Sequence, residues 1–371
     1  MLGFVQNIFA LRKIFAPAHP MGVDFGTDCL RIAQVQQIRR DFNLHAAASA
    51  DVPPDIRADP GSHLAFFTRT VSQLLERAPF RGRQVVLGLP ASIVHIQNLK
   101  LPATHEKDLK NAVIQEASRS LPFDAAHALV RHWIVGNTRE AARETSGHQV
   151  IVMAADARWV NKYLEAARSI RLNVVGMNVQ PLALLDCFAR VYRRTCEIES
   201  TRFYIDVGSS GTRAIIARGT QLLFARNLPI GGDHLTRSVA ESLGIGFHDA
   251  RMMRIKLGAC PQALVSGVDA AQERPLEELT RQLDLCRRDH LSTFPQYPIE
   301  RLIFVGGEAR QRAICKRISK RLGIPGQTGD SIRRMMWNSK IGIESAIDRR
   351  HPQPAWAAAI GLSIGPAVTS E

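Results

Sequence analysis

Apolar positions along the chain follow two periods. Runs such as Met21–Val23, Ile32 to Val35, Val85–Leu89, Phe203–Ile205, Ala214–Ala217 and Leu302–Val305 are strand-length, and read as buried strands. Elsewhere apolar residues recur at helical spacing: Leu109, Ala112, Val113, Ala117 and Leu121; Leu235, Val239 and Leu243; Ile314, Ile318 and Leu322. Each set predicts a helix with one apolar face. Thr104 is placed to cap the first, with Glu106 and Asp108 in its opening turn, and Asp233 to cap the second. Gly244 and Gly323 close the second and third, where a left-handed residue is wanted. Ile93–Leu99, Ala128–Val135 and Gln149–Ala154 read as strands flanking the first helix, a small α+β unit of its own. No apolar run approaches the length that spans a bilayer.

A repeat organises these elements. Residues 24–31 read Asp-Phe-Gly-Thr-Asp-Cys-Leu-Arg and residues 206–213 read Asp-Val-Gly-Ser-Ser-Gly-Thr-Arg, both Asp-apolar-Gly-Ser/Thr-x-x-x-Arg. Each copy lies between two apolar runs, so each predicts a strand, a tight Gly turn and a returning strand. Two such copies predict two similar domains facing each other across a cleft. The turn suits a phosphate: glycine admits its oxygens close to the backbone, and N–H groups with Ser/Thr hydroxyls cradle them. An Asp beside bare phosphate would repel it, so Asp24 and Asp206 make sense with Mg²⁺ between, directly or through water. A third Gly site, Gly306-Gly307-Glu308-Ala309, follows the strand Leu302–Val305 and leads into a helix, the arrangement that points a helix N-terminus at a ligand. A fourth, Gly231-Gly232 before Asp233, follows the second hairpin and is placed to lie against ribose or phosphate.

Composition narrows the partners. At 371 residues, 45% hydrophobic and 22% charged, the chain suits two or three compact units. Its net charge of +14 is spread along the whole length and suits an anionic neighbour such as a phospholipid leaflet, a polyphosphate or nucleic acid, without choosing between them. Aromatics are only 6%, with no basic-aromatic run, so no nucleic-acid partner is expected. Six cysteines contain no C-x-x-C pair, and buried, reduced thiols are expected. Arg12 and Lys13 follow the first apolar stretch rather than precede it, the wrong order for a secretory signal. Phe4, Val5, Ile8, Phe9 and Leu11 instead suggest a short N-terminal helix.

The four glycine elements, in this order, resemble the actin–sugar kinase–heat-shock chaperone superfamily. LPATHEKDLKNAVIQEASRSLPF at 101–123, LPIGGDHLTRSVAESLGIGFHDARMMRIKLG at 228–258 and PAWAAAIGLSIG at 354–365 are similar to one branch, the PilM family of type IV pilus assembly proteins, related to FtsA. The resemblance implies an α/β, actin-like (ribonuclease H-like) two-domain fold: an extension at 1–20, a first half at 21–198, and a second half at 199–371 with a 2B-like subdomain at about 235–298. Residues 93–155 would form an inserted unit resembling subdomain 1C. It implies ATP and Mg²⁺ as cofactors, with phosphate-1 at Asp24, Gly26, Thr27, Asp28 and Arg31 and phosphate-2 at Asp206, Gly208, Ser209, Ser210, Gly211 and Thr212. Gly231 and Gly232, with Gly306, Gly307 and Glu308, would face the nucleoside. Arg251 and Arg254 stand where relatives carry E-A-E-x-x-K toward adenine, and Glu308 stands where a third Gly is common. Gln180, opening the connecting helix, is the candidate to orient water, and Asp186 looks less well aimed; a glutamine is too weak a base for more than slow hydrolysis. The family also implies a cytoplasmic scaffold, peripheral to the inner membrane, that holds the tail of a PilN-like membrane protein; the basic charge of the chain allows peripheral contact with an anionic membrane surface beside it. A sugar-kinase-like phosphotransferase and a self-associating FtsA- or MreB-like filament protein are the alternatives of the same superfamily.

Overall fold

The computed structural model describes residues 19–365 apart from 40, 58, 103–105, 136–146, 257–261, 338–340, 342–344, 346 and 349. The first eighteen residues of the expected extension, the Thr104 cap and Cys260 lie outside the described residues. The chain forms two compact units and passes between them repeatedly. The first unit takes Met1–Pro90, Arg158–Val191 and Asp330–Glu371; the second takes Ala91–Ala157 and Tyr192–Gly329.

In chain order, the first unit opens with β1 (Met21–Phe25), β2 (Cys29–Ile38), β3 (Asp41–Asp51), α1 (Pro60–Arg77) and β4 (Gln84–Leu89). The second unit begins with β5 (Val94–Pro102), α2 (Glu106–Ser118), β6 (Ala128–Ile134) and β7 (Gly147–Asp156). The path returns through α3 (Ala157–Ser169), β8 (Asn173–Val179) and α4 (Gln180–Val191). The second unit resumes with α5 (Thr195–Glu199), β9 (Thr201–Val207), β10 (Thr212–Arg218), β11 (Gln221–Leu228), α6 (Gly232–Leu243), α7 (Phe247–Ile255), α8 (Gln262–Ala271), α9 (Glu273–Thr293), β12 (Arg301–Val305), α10 (Arg312–Leu322) and β13 (Gly326–Thr328). The short β14 (Met336–Trp337) and α11 (Ala357–Ile364) complete the first unit.

The two main sheets share one plan. The first runs β14-β3-β2-β1-β4-β8 and the second β11-β10-β9-β12-β13. In each, three antiparallel strands from consecutive hairpins are followed by two strands parallel to the first. An eight-residue motif thus marks a repeat that runs through whole sheets, which is the two-domain, actin-like α/β fold expected from the sequence. The second sheet's core joins Phe203, Ile205 and Phe304 to Leu276, Leu279 and Leu283 of α9 and to Ile314, Ile318 and Leu322 of α10. The first unit is closed by α11, every residue of which is buried. Glycines let its backbone touch its neighbours: a Cβ on Gly361 would stand 1.7 Å from the Ala183 carbonyl of α4, and one on Gly22 of β1 would stand 2.0 Å from the Ala359 carbonyl.

The inserted β5-β7-β6 sheet is covered on one face by α2 through Leu109, Val113 and Ala117. Its β5 edge lies along the β11 edge of the main sheet in the second unit. Asparagine side chains join the two edges: Asn98 Nδ2 donates to the Ala225 carbonyl at 2.8 Å, its Oδ1 accepts from the Ala225 N–H at 3.4 Å, and Asn227 Nδ2 donates to the Val94 carbonyl at 3.1 Å. A side-chain amide here does the work of a backbone peptide.

Two local expectations need correction. Asp233 does not cap α6, because Gly231 holds that position and the first-turn N–H groups are used by a neighbouring loop. Cysteines 29, 187, 286 and 315 are buried free thiols, but Cys196 is exposed, since no residue of the short α5 is buried. Gly244 and Gly323 end α6 and α10 in the left-handed conformation, as expected.

Candidate functional site

Both copies of the repeat fold as hairpins with the same register. Phe25 pairs with Leu30, leaving residues 26–29 as the first loop, and Asp24 stands opposite Arg31. Val207 pairs with Thr212, leaving 208–211 as the second loop, and Asp206 stands opposite Arg213. Directly opposed strand residues share a face of the sheet, so each Gly turn carries a carboxylate and a guanidinium at its base.

In the second unit, Arg213 Nε donates to Asp206 Oδ2 at 2.6 Å, with side chains only 12% and 7% exposed. The turn docks on α6: the Gly232 N–H donates to the Gly208 carbonyl at 2.9 Å and the Asp233 N–H to the Ser209 carbonyl at 2.8 Å. A Cβ on Gly231 would fall 2.5 Å from the Ser209 carbonyl, so Gly231 is required by this contact. Thr212 is buried and its hydroxyl donates to the Ile230 carbonyl. Ser209 Oγ is buried without a partner among the described residues, while Ser210 at the tip is exposed. The Gly306 turn comes against the same strand end: Gly306 has φ +85°, and a Cβ there would stand 2.4 Å from Asp206 Oδ1. Arg254, placed by the sequence toward adenine, is enclosed instead. It donates to Gln272 Oε1, the Gly232 carbonyl, Thr236 Oγ1 and Glu308 Oε2. Arg251, one turn earlier on α7, is half-buried.

In the first unit, Asp24 is buried and Gln180 Nε2, at the start of α4, donates to its Oδ1 at 2.9 Å. Gln180 Oε1 is buried without a partner among the described residues. Gly26, Thr27 and Asp28 are half-buried at the turn. His63 of α1, kept below its usual pKa by burial, donates from Nε2 to the Gly26 carbonyl at 3.3 Å. Burial works against the Arg31 charge, but Cys29, then Asp28, Asp24 and Asp51 around it, more than offset this and raise its pKa.

The residues present fit a phosphate at each turn. Each turn offers glycine backbone and polar side chains at its tip; Ser209 Oγ, buried without a partner among the described residues, can donate to a phosphate oxygen, whereas Gln180 Oε1 can only accept, as from a water. No group of three or more His, Cys, Asp or Glu side chains able to hold a metal occurs among the described residues; Mg²⁺ held by a carboxylate, waters and phosphates needs none. A cavity of about 160 Å³ lies away from the turns, between Asn98 and Lys100 of β5, Phe224 of β11 and His290 of α9. Sequence reasoning named Gln180 for a water but not for its bond to Asp24. It also passed over Arg213, although the final Arg of the repeat signalled it; nothing in the sequence signalled Gln272 or Thr236.

The type IV pilus assembly protein PilM family model matches residues 22–365, taking in both hairpins, the Gly306 turn and α11. The chain belongs to this family. Among solved structures it is similar to a PilM–PilN type IV pilus biogenesis complex, with TM-score 0.74 and 23% identity over 93% of this chain and 97% of that one. It is also similar to the ethanolamine utilization protein EutJ from Carboxydothermus hydrogenoformans, with TM-score 0.50 and 14% identity over 94% of this chain and 89% of that one. The cell division protein FtsA of Pseudomonas aeruginosa is 22% identical, with 87% of this chain and 88% of FtsA aligned. Family membership therefore agrees with the actin-like fold. Among the described residues, no helix is long and apolar enough to cross a membrane.

Proposed function

We propose that this chain is a nucleotide-binding scaffold of a type IV pilus assembly complex that holds the cytoplasmic tail of a PilN-like membrane protein. The observation that carries this reading is the family match over residues 22–365, within which both hairpins keep one Asp–Arg register. A match of that extent does not favour a sugar-kinase-like phosphotransferase.

ATP is the proposed nucleotide. Gly26, Thr27, Arg31 and the backbone N–H of Asp28 would hold phosphate oxygens, as would Gly208, Ser209, Ser210 and Gly211. Mg²⁺, when bound, supplies the positive charge that neutralises the phosphates. Asp24 and Asp206 would hold it, directly or through water. Gln180 keeps the Asp24 carboxylate oriented, and a glutamine is too weak a base for more than slow turnover.

The place of action is cytoplasmic and peripheral to the inner membrane. A membrane-anchored partner and the attraction of a chain of net charge +14 to anionic lipid act together there. Titrating a labelled N-terminal peptide of a PilN-like protein, with and without ATP-Mg²⁺, tests the reading. Binding at micromolar concentrations that changes with nucleotide is the expected result. No binding in either condition removes the scaffold, and binding indifferent to nucleotide removes the coupling. The FtsA likeness motivates a second property, self-association, checked by sedimentation velocity with and without ATP-Mg²⁺.

A further inference from the structure

Glu308 follows the Gly306-Gly307 turn and opens one turn of 3₁₀ helix, Glu308–Arg310. Its carboxylate is held from one side. Oε2 accepts from Arg254 Nη2 at 2.6 Å and from Gln311 Nε2 at 3.0 Å. Oε1 makes no hydrogen bond among the described residues. It lies 2.1 Å from where a Cβ on Gly232 would stand, so Gly232 is the residue that makes room for it. The support is rigid: the Arg254 side chain is 1% exposed and is fixed further by Gln272, Gly232 and Thr236. The guanidinium also balances the carboxylate charge, so an anionic ligand nearby meets a neutral pair. Next to it, nothing lies within 4 Å of the Cβ direction of Gly307, and Gly306 abuts Asp206 at the foot of the phosphate hairpin.

An ionised carboxylate accepts hydrogen bonds and cannot donate them. The group that completes Oε1 therefore carries O–H or N–H. On a nucleotide, the donors nearest the phosphates are the two ribose hydroxyls. Resting on the nucleotide reading above, we propose that Glu308 Oε1 accepts from the ribose hydroxyls and selects ribonucleotides, with Arg254 as the residue that positions it. This gives the second unit a sugar-reading carboxylate on the turn after β12, while the basic Arg251 and Arg254 occupy α7.

The test uses the full chain with Mg²⁺ and four probes: ATP, 2′-deoxy-ATP, 3′-deoxy-ATP and inorganic tripolyphosphate, titrated calorimetrically. ATP is expected to bind roughly tenfold more tightly than at least one deoxy analogue, as suits a hydrogen bond to a charged acceptor. Glu308→Ala and Glu308→Gln should erase the preference for ATP over that analogue, while tripolyphosphate, relieved of the carboxylate that balances Arg254, should bind no more weakly than to the wild type. Arg254→Lys should narrow the preference in the same way. Equal affinity of the wild type for all three nucleotides overturns the proposal without any variant. So does a Glu308 variant that weakens ATP and both deoxy analogues by one common factor, because that is loss of packing alone. If ATP and tripolyphosphate both fail to bind at millimolar concentration, the nucleotide reading fails and this inference with it. If both bind without discrimination, only this inference fails.

Discussion

Asp186 of α4 shows how much one half-buried carboxylate does to this protein. Burial pushes its pKa up to about 6, with Arg190 one turn on pulling the other way. Gly365, past the end of α11, is close enough that a Cβ would stand 2.2 Å from Asp186 Oδ2. Because the folded value lies above the unfolded one, near 3.9, the folded state holds this proton more tightly. The group's favourable contribution is therefore complete below about pH 4 and is lost as pH rises through about 6. Asp186→Asn should raise stability by about 2 kcal/mol at pH 7.5, and the gain should shrink steadily toward pH 4.5. Thermal melts of both proteins across that range check it; a gain independent of pH would assign the effect to packing. At this scale the sequence was only partly informative. It marked Asp24, Asp206 and Gln180 by motif and position, yet the bond between Gln180 and Asp24 joins residues 156 apart in sequence, and no local pattern encodes it. Arg254 was legible as basic but not as buried, since its enclosure depends on Gln272 and Glu308 from other elements.

Among the elements, α11 and β5 carry the most specific contacts. Gly361 packs against the Ala183 backbone, which cannot move aside as a side chain would, so Gly361→Ala should overpack the joint. A loss of about 3 kcal/mol in urea unfolding is expected; a loss under 1 kcal/mol would mean that α11 and α4 are not in backbone contact. Asn98→Ala should strip both Ala225 backbone groups of their partner and cost about 1–3 kcal/mol. Amide exchange at Ala225 should then quicken while the hairpin β9–β10 stays protected. The strands and helices themselves were legible because their apolar periods are clean, and the repeat foretold two like sheets. What chain order did not foretell is that the unit inserted after β4 lies along β11. Nothing in an isolated Asn announces that it will stand in for a peptide group. Asp233 misled for a related reason: its own N–H and that of Gly232 are satisfied by the hairpin loop, a partner that only the fold supplies.

For the whole molecule, the proposed scaffold role sets limits on turnover and on coupling. ATP hydrolysis by the purified protein should fall far below the ~10 s⁻¹ typical of enzymes, and Gln180→Ala should lower turnover by a larger factor than it lowers ATP-Mg²⁺ affinity. Phosphate release assays beside calorimetry check both; vigorous turnover that survives the substitution would remove Gln180 from the chemistry. Any factor by which ATP changes peptide affinity must also appear as the factor by which peptide changes ATP affinity. The interleaved path of the chain has a consequence for biosynthesis. The first unit starts with β1, but its fully buried helix α11 is encoded more than three hundred residues later. At about 5–20 residues per second on the ribosome, the nascent β1–β4 sheet waits on the order of half a minute for the helix that covers it. During that interval the second unit can fold to completion, since all its segments emerge earlier. The domain begun first is thus finished last, and the apolar face that α11 covers stays open for that interval.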